Sequence, residues 1–269
     1  MSEIGEDGVT SVTRHWLFGR LYLPGGASLA LPAALPRLVR RVHLADPGGC
    51  CFFDRVRTPA GPALEVWAHS TPPVLDDVEA LLRTDPAWPL GSSTVRDVTR
   101  PVHHRHDTGR DVTDELAAAS SRLALDLTDG DGLDPARHVD VTTTHLRGLT
   151  DLIPVADRRS FLFVCWQQWS SELQAGQRIE LSVAAERSVP APADGPVSAA
   201  DAAAGPAWQA YLDRTAGIVR GQRDAAGPPP AYLVFSQAEA THDRLGIPVD
   251  LAALVALRLR QQLREPVDA

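Results

Sequence analysis

The chain has 269 residues, of which 44% are hydrophobic, and a formal net charge of −8. That apolar share suffices for a packed core in one large domain or two small ones, and no run approaches the ~20 uninterrupted apolar residues of a membrane helix. All 26 basic residues are arginine, and the net acidity excludes a general nucleic-acid binder, which needs a basic surface to exchange for counterions.

Along the chain, Arg14–Leu23 mixes aromatic, β-branched and apolar residues and stops at Pro24-Gly25-Gly26, which predicts a strand ended by a turn. Leu29–Val42 has apolar residues at helical spacing, with Pro32 and Pro36 confined to its early part. Cys51–Val56 and Ala63–His69 read as two strands of a hairpin across a Pro/Gly connection. A helix is expected over Pro73–Arg83, capped by Thr71, and an edge strand over Ser93–Val98. Five helices follow at apolar spacings of three and four, over Val112–Leu127, Pro135–Leu152, Arg159–Leu173, Ala207–Arg220 and Val249–Leu263. Arg187–Gly205 is dominated by Ala, Pro, Ser, Gly and Asp and reads as a mobile linker or long loop. The expected class is α+β: a small antiparallel sheet from the N-terminal half with a mainly helical C-terminal half, in one fold over 1–269.

The opening MSEIGEDGVTSVTRHW is acidic and lacks the basic and apolar regions of a signal peptide. Cys50, Cys51 and Cys165 have no CxxC spacing and read as reduced structural thiols, so a cytoplasmic location is expected. His103-His104-Arg105-His106 is the densest histidine cluster, but adjacent residues on a strand face opposite ways and no Cys or carboxylate pair stands at metal-ligand spacing. No metal is expected there. Asp129-Gly130-Asp131-Gly132 lacks the full calcium-loop spacing, and there is no GxSxG, Walker loop or GxGxxG. Trp166-Gln167-Gln168-Trp169-Ser170-Ser171 forms a polar-aromatic patch inside an apolar helix, expected either to line a cleft or to pack between helices.

Several segments, in order, resemble the thiopeptide-type biosynthesis proteins, which are similar to the C-terminal elimination domain of lantibiotic dehydratases. Trp16-Leu17-Phe18 through Tyr22 resembles the family's opening strand W-x-x-x-x-L-Y-x-P. Phe52-Phe53-Asp54-Arg55-Val56 and Gly61-Pro62-Ala63-Leu64 resemble F-F-I-R-Y and G-P-H-L-R-L-R. Arg105-His106-Asp107-Thr108-Gly109, Glu115 and Ser120-Ser121 resemble R-Y-G-G…E…(D/S)-S, and Thr241–Ile247 resembles H-M-x-x-N-R-L-G.

The departures matter as much. The resemblance sets the two arginines of the family's glutamate eliminases at Arg55 and Arg105, but Val102 stands where a glutamate is expected and Glu239 where a histidine is. Proton removal from Cα needs a positioned base, so the resemblance points to the branch that lacks the pair, the pyridine synthases. It implies a cofactor-independent enzyme that joins two dehydroalanines of a leader-bearing precursor peptide by a formal aza-Diels–Alder cycloaddition, expelling water and leader. The residues expected to serve catalysis are Arg55, Arg105, Ser170, Ser171 and Tyr211, as donors and proton relays. Trp166, Trp169, Gln167 and His104 are expected to bind substrate. Acidic leaders would suit Arg37, Arg40 and Arg41, although a solvated helix face is the simpler account of those three. A homodimer is compatible with all of this. Two alternatives stay open: a split glutamate eliminase whose base has moved to His103, His104 or His242, and a non-catalytic precursor-binding scaffold.

Overall fold

The computed structural model describes residues 12–22, 31–32, 34–84, 93–100, 111–128, 133–187, 199–222 and 228–263, with backbone alone at 199–204. Strand β1 (His15–Tyr22) is followed by helix α1 (Leu35–Ala45), strands β2 (Cys50–Thr58) and β3 (Gly61–Ser70), helix α2 (Pro72–Thr84) and strand β4 (Ser93–Arg96). These are the β-α-β-β-α-β elements that the periodicity predicts. The strands form one antiparallel sheet in the order β2-β3-β1-β4, which leaves β2 and β4 at its edges. The β2–β3 turn closes at Gly61, whose φ of 119° suits a residue without a Cβ.

One sheet face packs on α1 and α2. Leu17 and Leu21 of β1, Leu64 and Val66 of β3, and Phe53 of β2 meet Leu35, Leu38, Leu75 and Val78 there, all buried. The opposite face carries Trp16, Phe18, Phe52 and Trp67, with the Arg100 guanidinium 4.2 Å from the Trp67 ring centroid and paired to buried Asp114.

The C-terminal half is helical: α3 (Val112–Leu127), α4 (His138–Thr150), α5 (Arg158–Trp169), α6 (Ala175–Arg187), α7 (Ala199–Gly221), α8 (Pro230–Leu245) and α9 (Val249–Gln262). Asp111 caps α3, its carboxylate accepting from the Thr113 amide at 2.8 Å. Helix α3 joins the halves, because it packs on β2 to one side and on α7 and α8 to the other. All three cysteines are buried and unbridged.

The differences from the sequence reading have physical causes. Pro135–Leu152 opens as a 3-10 turn at Pro135–Arg137 before α4 begins. Helix α5 ends at Trp169, with Ser170 as its C-cap, four residues before Leu173. Helix α6 was not foreseen because it has no apolar stripe; only Ala185 on it is buried. Helix α8 was missed because its buried face carries Gln237, Thr241, His242 and Arg244, which break the apolar period. Arg187 ends α6 and 199–205 open α7, while 188–198 lie outside the described residues. No described helix is long and apolar enough to cross a membrane.

Candidate active site

The Thr241–Gly246 segment forms the last turn of α8, and the chain reverses there through Gly246 at φ 71°, in the left-handed region. The Gly246 amide bonds the Asp243 carbonyl at 3.0 Å and the Ile247 amide bonds the His242 carbonyl at 2.9 Å, a closing pair that satisfies the helix end. The turn presses Arg244, 2% exposed, against the free edge of β2. Its Nε donates to the Phe53 carbonyl at 2.7 Å and its Nη1 to Ser120 Oγ at 3.1 Å. Its Nη2 pairs with Asp54. The neighbouring Phe53 amide donates to Ser121 Oγ at 3.0 Å. One edge residue of the sheet thus has both its outward backbone groups satisfied by α3 and α8.

The network runs inward from Ser120. Its Oγ lies 2.8 Å from Thr241 Oγ1, which donates to the Gln237 carbonyl at 2.6 Å. Tyr211 OH is 3.3 Å from Thr241 Oγ1 and 2.9 Å from His145 Nε2, and His145 Nδ1 is 3.1 Å from His242 Nε2. All five side chains are buried. Because Thr241 spends its proton on Gln237, Ser120 donates to Thr241 and accepts from Arg244. Burial holds the His242 pKa down to about 3 and that of His145 well below its ordinary value, with His242 adding to the effect on His145. Both rings are neutral. Burial pushes the Tyr211 hydroxyl up to about 12, so it remains a donor. His242 held near 3 is a poor proton acceptor, which removes the physical motive for a base moved to that position.

Arg55 stands at the rim of this network. Two residues along β2 from Phe53, it is half-buried, and its Nε donates to the Arg244 carbonyl at 3.2 Å. Burial lowers its pKa from the ordinary arginine value, and the Asp243 carboxylate opposes that shift. Asp243 is itself raised, by desolvation first and by Asp54, with Arg244 and Arg55 pulling the other way. Glu239, one turn back on the same face of α8, is raised by burial, by Asp243 and by Glu172. The rim therefore sets a confined arginine beside Asp243, with Glu239 one turn away on α8, and both carboxyls hold their protons more readily than usual.

The other expected residues divide. Trp169 is buried, stacked on Phe235 at 5.8 Å and edge-on to His242 at 5.3 Å, so it touches the network from α5. Trp166 packs against Phe163 and under Arg178, with its indole nitrogen buried and, among the described residues, without a partner. Ser170 is buried and bonds the Gln167 carbonyl at 3.4 Å, while Ser171 is exposed and bonds the Gln168 carbonyl at 2.7 Å. Gln167 is exposed. Arg105, His104 and the rest of the histidine cluster lie outside the described residues. Among the described residues no group of three or more His, Cys, Asp or Glu is placed to hold a metal. Arg41 pairs with Asp77 on the surface, and Arg37 and Arg40 are exposed beside it. Sequence reading passed over His145, which sits in an ordinary-looking helix. The signal for Ser120, Thr241 and Arg244 was polar side chains at spacings that face a core.

No family model and no curated protein matches the sequence. Solved structures do. The chain is similar to the pyridine synthase TbtD from thiomuracin biosynthesis, at 12% identity and a TM-score of 0.59, over 93% of this chain and 97% of that one. It is similar to TsrL at 14% identity and a TM-score of 0.56, over 95% and 100%. It also matches the tRNA-dependent lantibiotic dehydratase MibB from Microbispora sp. 107891, at 16% identity and a TM-score of 0.56. The chain shares their fold. It spans 96% of itself but only 28% of MibB, so it corresponds to one part of that longer protein. Fold at this identity carries no chemistry of its own, which has to be argued from the residues.

Proposed function

We propose that this protein is a cofactor-independent enzyme of the pyridine synthase type, acting on a leader-bearing precursor peptide that holds two dehydroalanines. The observation that supports the reading best is the end-to-end correspondence with TbtD, 93% of one chain on 97% of the other. The rim chemistry suits it. An amide must first tautomerise to its imidic-acid form so that C=N–C=C can serve as a diene, which wants a donor at the amide oxygen and a weak acceptor at nitrogen. Arg55 supplies the donor, and the carboxyls of Glu239 and Asp243, whose pKa values are raised, supply groups that can give or take a proton.

Arg105 and His104 are proposed to complete the site on sequence grounds. Ser170, Ser171, Gln167, Trp166 and Trp169 are proposed to border it where α5 ends, with Tyr211 fixing the network behind. Holding the two alkenes within contact distance would supply much of the acceleration.

The test is mass spectrometry of a dehydrated, azole-bearing precursor incubated with this protein alone. Loss of water with release of the leader supports the reading. Loss of glutamate from a glutamylated Ser or Thr precursor would instead establish the eliminase. An unchanged mass with retained peptide would leave a binding scaffold.

A further inference from the structure

The edge of β2 is sealed at Phe53 and open two residues earlier. Both outward backbone groups of Phe53 bond to helices rather than to β3, so Phe53 and Val66 form a non-hydrogen-bonded pair of the antiparallel ladder. By the two-residue alternation, the Cys51 amide and carbonyl also point away from β3. Among the described residues no side chain bonds either of them, yet Cys51 is only 5% exposed. Backbone N–H and C=O groups are strong hydrogen-bonding groups, so this edge offers a donor and an acceptor to a strand that enters.

Cys51 lines a cavity of about 400 Å³ between α1, β2, α3 and α7. Its walls include Cys51, Ala118, Ala119, Ala210, Tyr211 and Arg122. The alanines on the two helices leave space beside the strand. One residue of an added strand fills roughly 160 Å³, taking the rise, the inter-strand spacing and the layer spacing of sheets, so the cavity holds about two to three residues. We propose that this groove docks an extended segment of the substrate peptide, which adds as a short strand on β2 at Cys51. The proposal rests on the reading that the substrate is a peptide.

The geometry limits what the segment can do. Ser121 and Arg244 close the edge at Phe53, so the added strand stops there. From Cys51 to Arg55 is roughly 13 Å along the strand, so the docked segment is an anchor outside the reacting centre. Its side chain against Ala118 and Ala119 must be small, while Arg122 and Asp126 at the wall accept either charge. Main-chain bonds give such a site affinity and the alanine pocket gives selectivity.

The experiment selects phage-displayed dodecapeptides on the full chain and measures the enriched peptides, synthesised with a fluorescein label, by anisotropy. Cys51→Pro removes one outward N–H and leaves the β2–β3 ladder intact, since proline is tolerated on an edge strand with its nitrogen facing out. Ala118→Leu fills the groove from a half-buried position and serves if the proline variant fails to fold. Selected peptides are expected to lose at least tenfold in affinity to either variant, and to lose binding when alternate residues are N-methylated. A library that yields no binder, or peptides that bind Ala118→Leu as tightly as the parent, overturns the proposal. Peptides that dock as described on a protein that forms no ring would sink the pyridine synthase reading and leave the groove standing.

Discussion

The buried His145–His242 pair makes acid stability the sharpest test of the network. Both rings have folded-state pKa values below the ordinary 6.5, that of His242 at about 3. Between those values the unfolded chain binds protons that the folded chain refuses, so stability is full above about pH 6.5 and falls as the pH drops. Each unit of pH below 6.5 costs about 1.36 kcal/mol per such histidine. From pH 7.5 to 5.0, His242 alone removes about 2 kcal/mol, a large share of the ~5–15 kcal/mol that holds a domain together. His145 adds a loss of the same sign.

Carboxyls act on the same curve with either sign. Glu239, Asp243 and Asp126 have raised pKa values, so protonating them favours the folded state as the pH falls. Asp46, held down to about 2 by Arg14, acts in the opposite direction and only below about pH 4. Replacing His242 separates the histidine part of the slope from that of the carboxyls. Urea unfolding at half-unit steps should give a stability that declines through that window. His242→Gln should lower the slope by about one proton even if it lowers stability throughout. A parent whose stability is flat from pH 7.5 to 5.0, or a variant with the parent's slope, would refute the buried neutral pair.

Three further outcomes are expected. Arg244→Met strips partners from the Phe53 carbonyl, Ser120 and Asp54 together, and should cost about 3–5 kcal/mol by chemical denaturation. Arg55→Ala and Ser171→Ala should each lower ring formation by at least about tenfold, or ~1.4 kcal/mol of transition-state stabilisation, while thermal melts move little. Gly246→Ala forces a Cβ into the left-handed region at φ 71° and should cost about 1–2 kcal/mol, seen as a lower urea midpoint at unchanged slope.

The sheet and most helices were legible in the sequence because their patterns are local. Val112–Leu127 matches α3 residue for residue, since a regular apolar spacing marks it. Helix α8 was not legible as a helix. Its inward face is built from Gln237, Thr241, His242 and Arg244, and an inward polar residue resembles a surface one until its partners are known. Those partners lie far away in the chain: Arg244 bonds Phe53 across 191 residues and Ser120 across 124. The motif around Thr241–Gly246 drew attention to this turn, but not to His242 being sealed away and Arg55 left at the rim.

That division separates structure from chemistry within one motif. A group that reacts must meet substrate, and His242, Thr241, Ser120 and Arg244 are each at most 3% exposed. Their bonds fix where the last turn of α8 sits on β2, and that in turn fixes the Arg244 carbonyl that holds Arg55. The residues with room to act are those around the turn: Arg55, Asp243 and Glu239. Replacing a sealed residue should therefore shift stability first and activity as a consequence. Replacing a rim residue should shift activity alone. Measuring both quantities on the same two sets of variants decides whether the motif's two halves are separable.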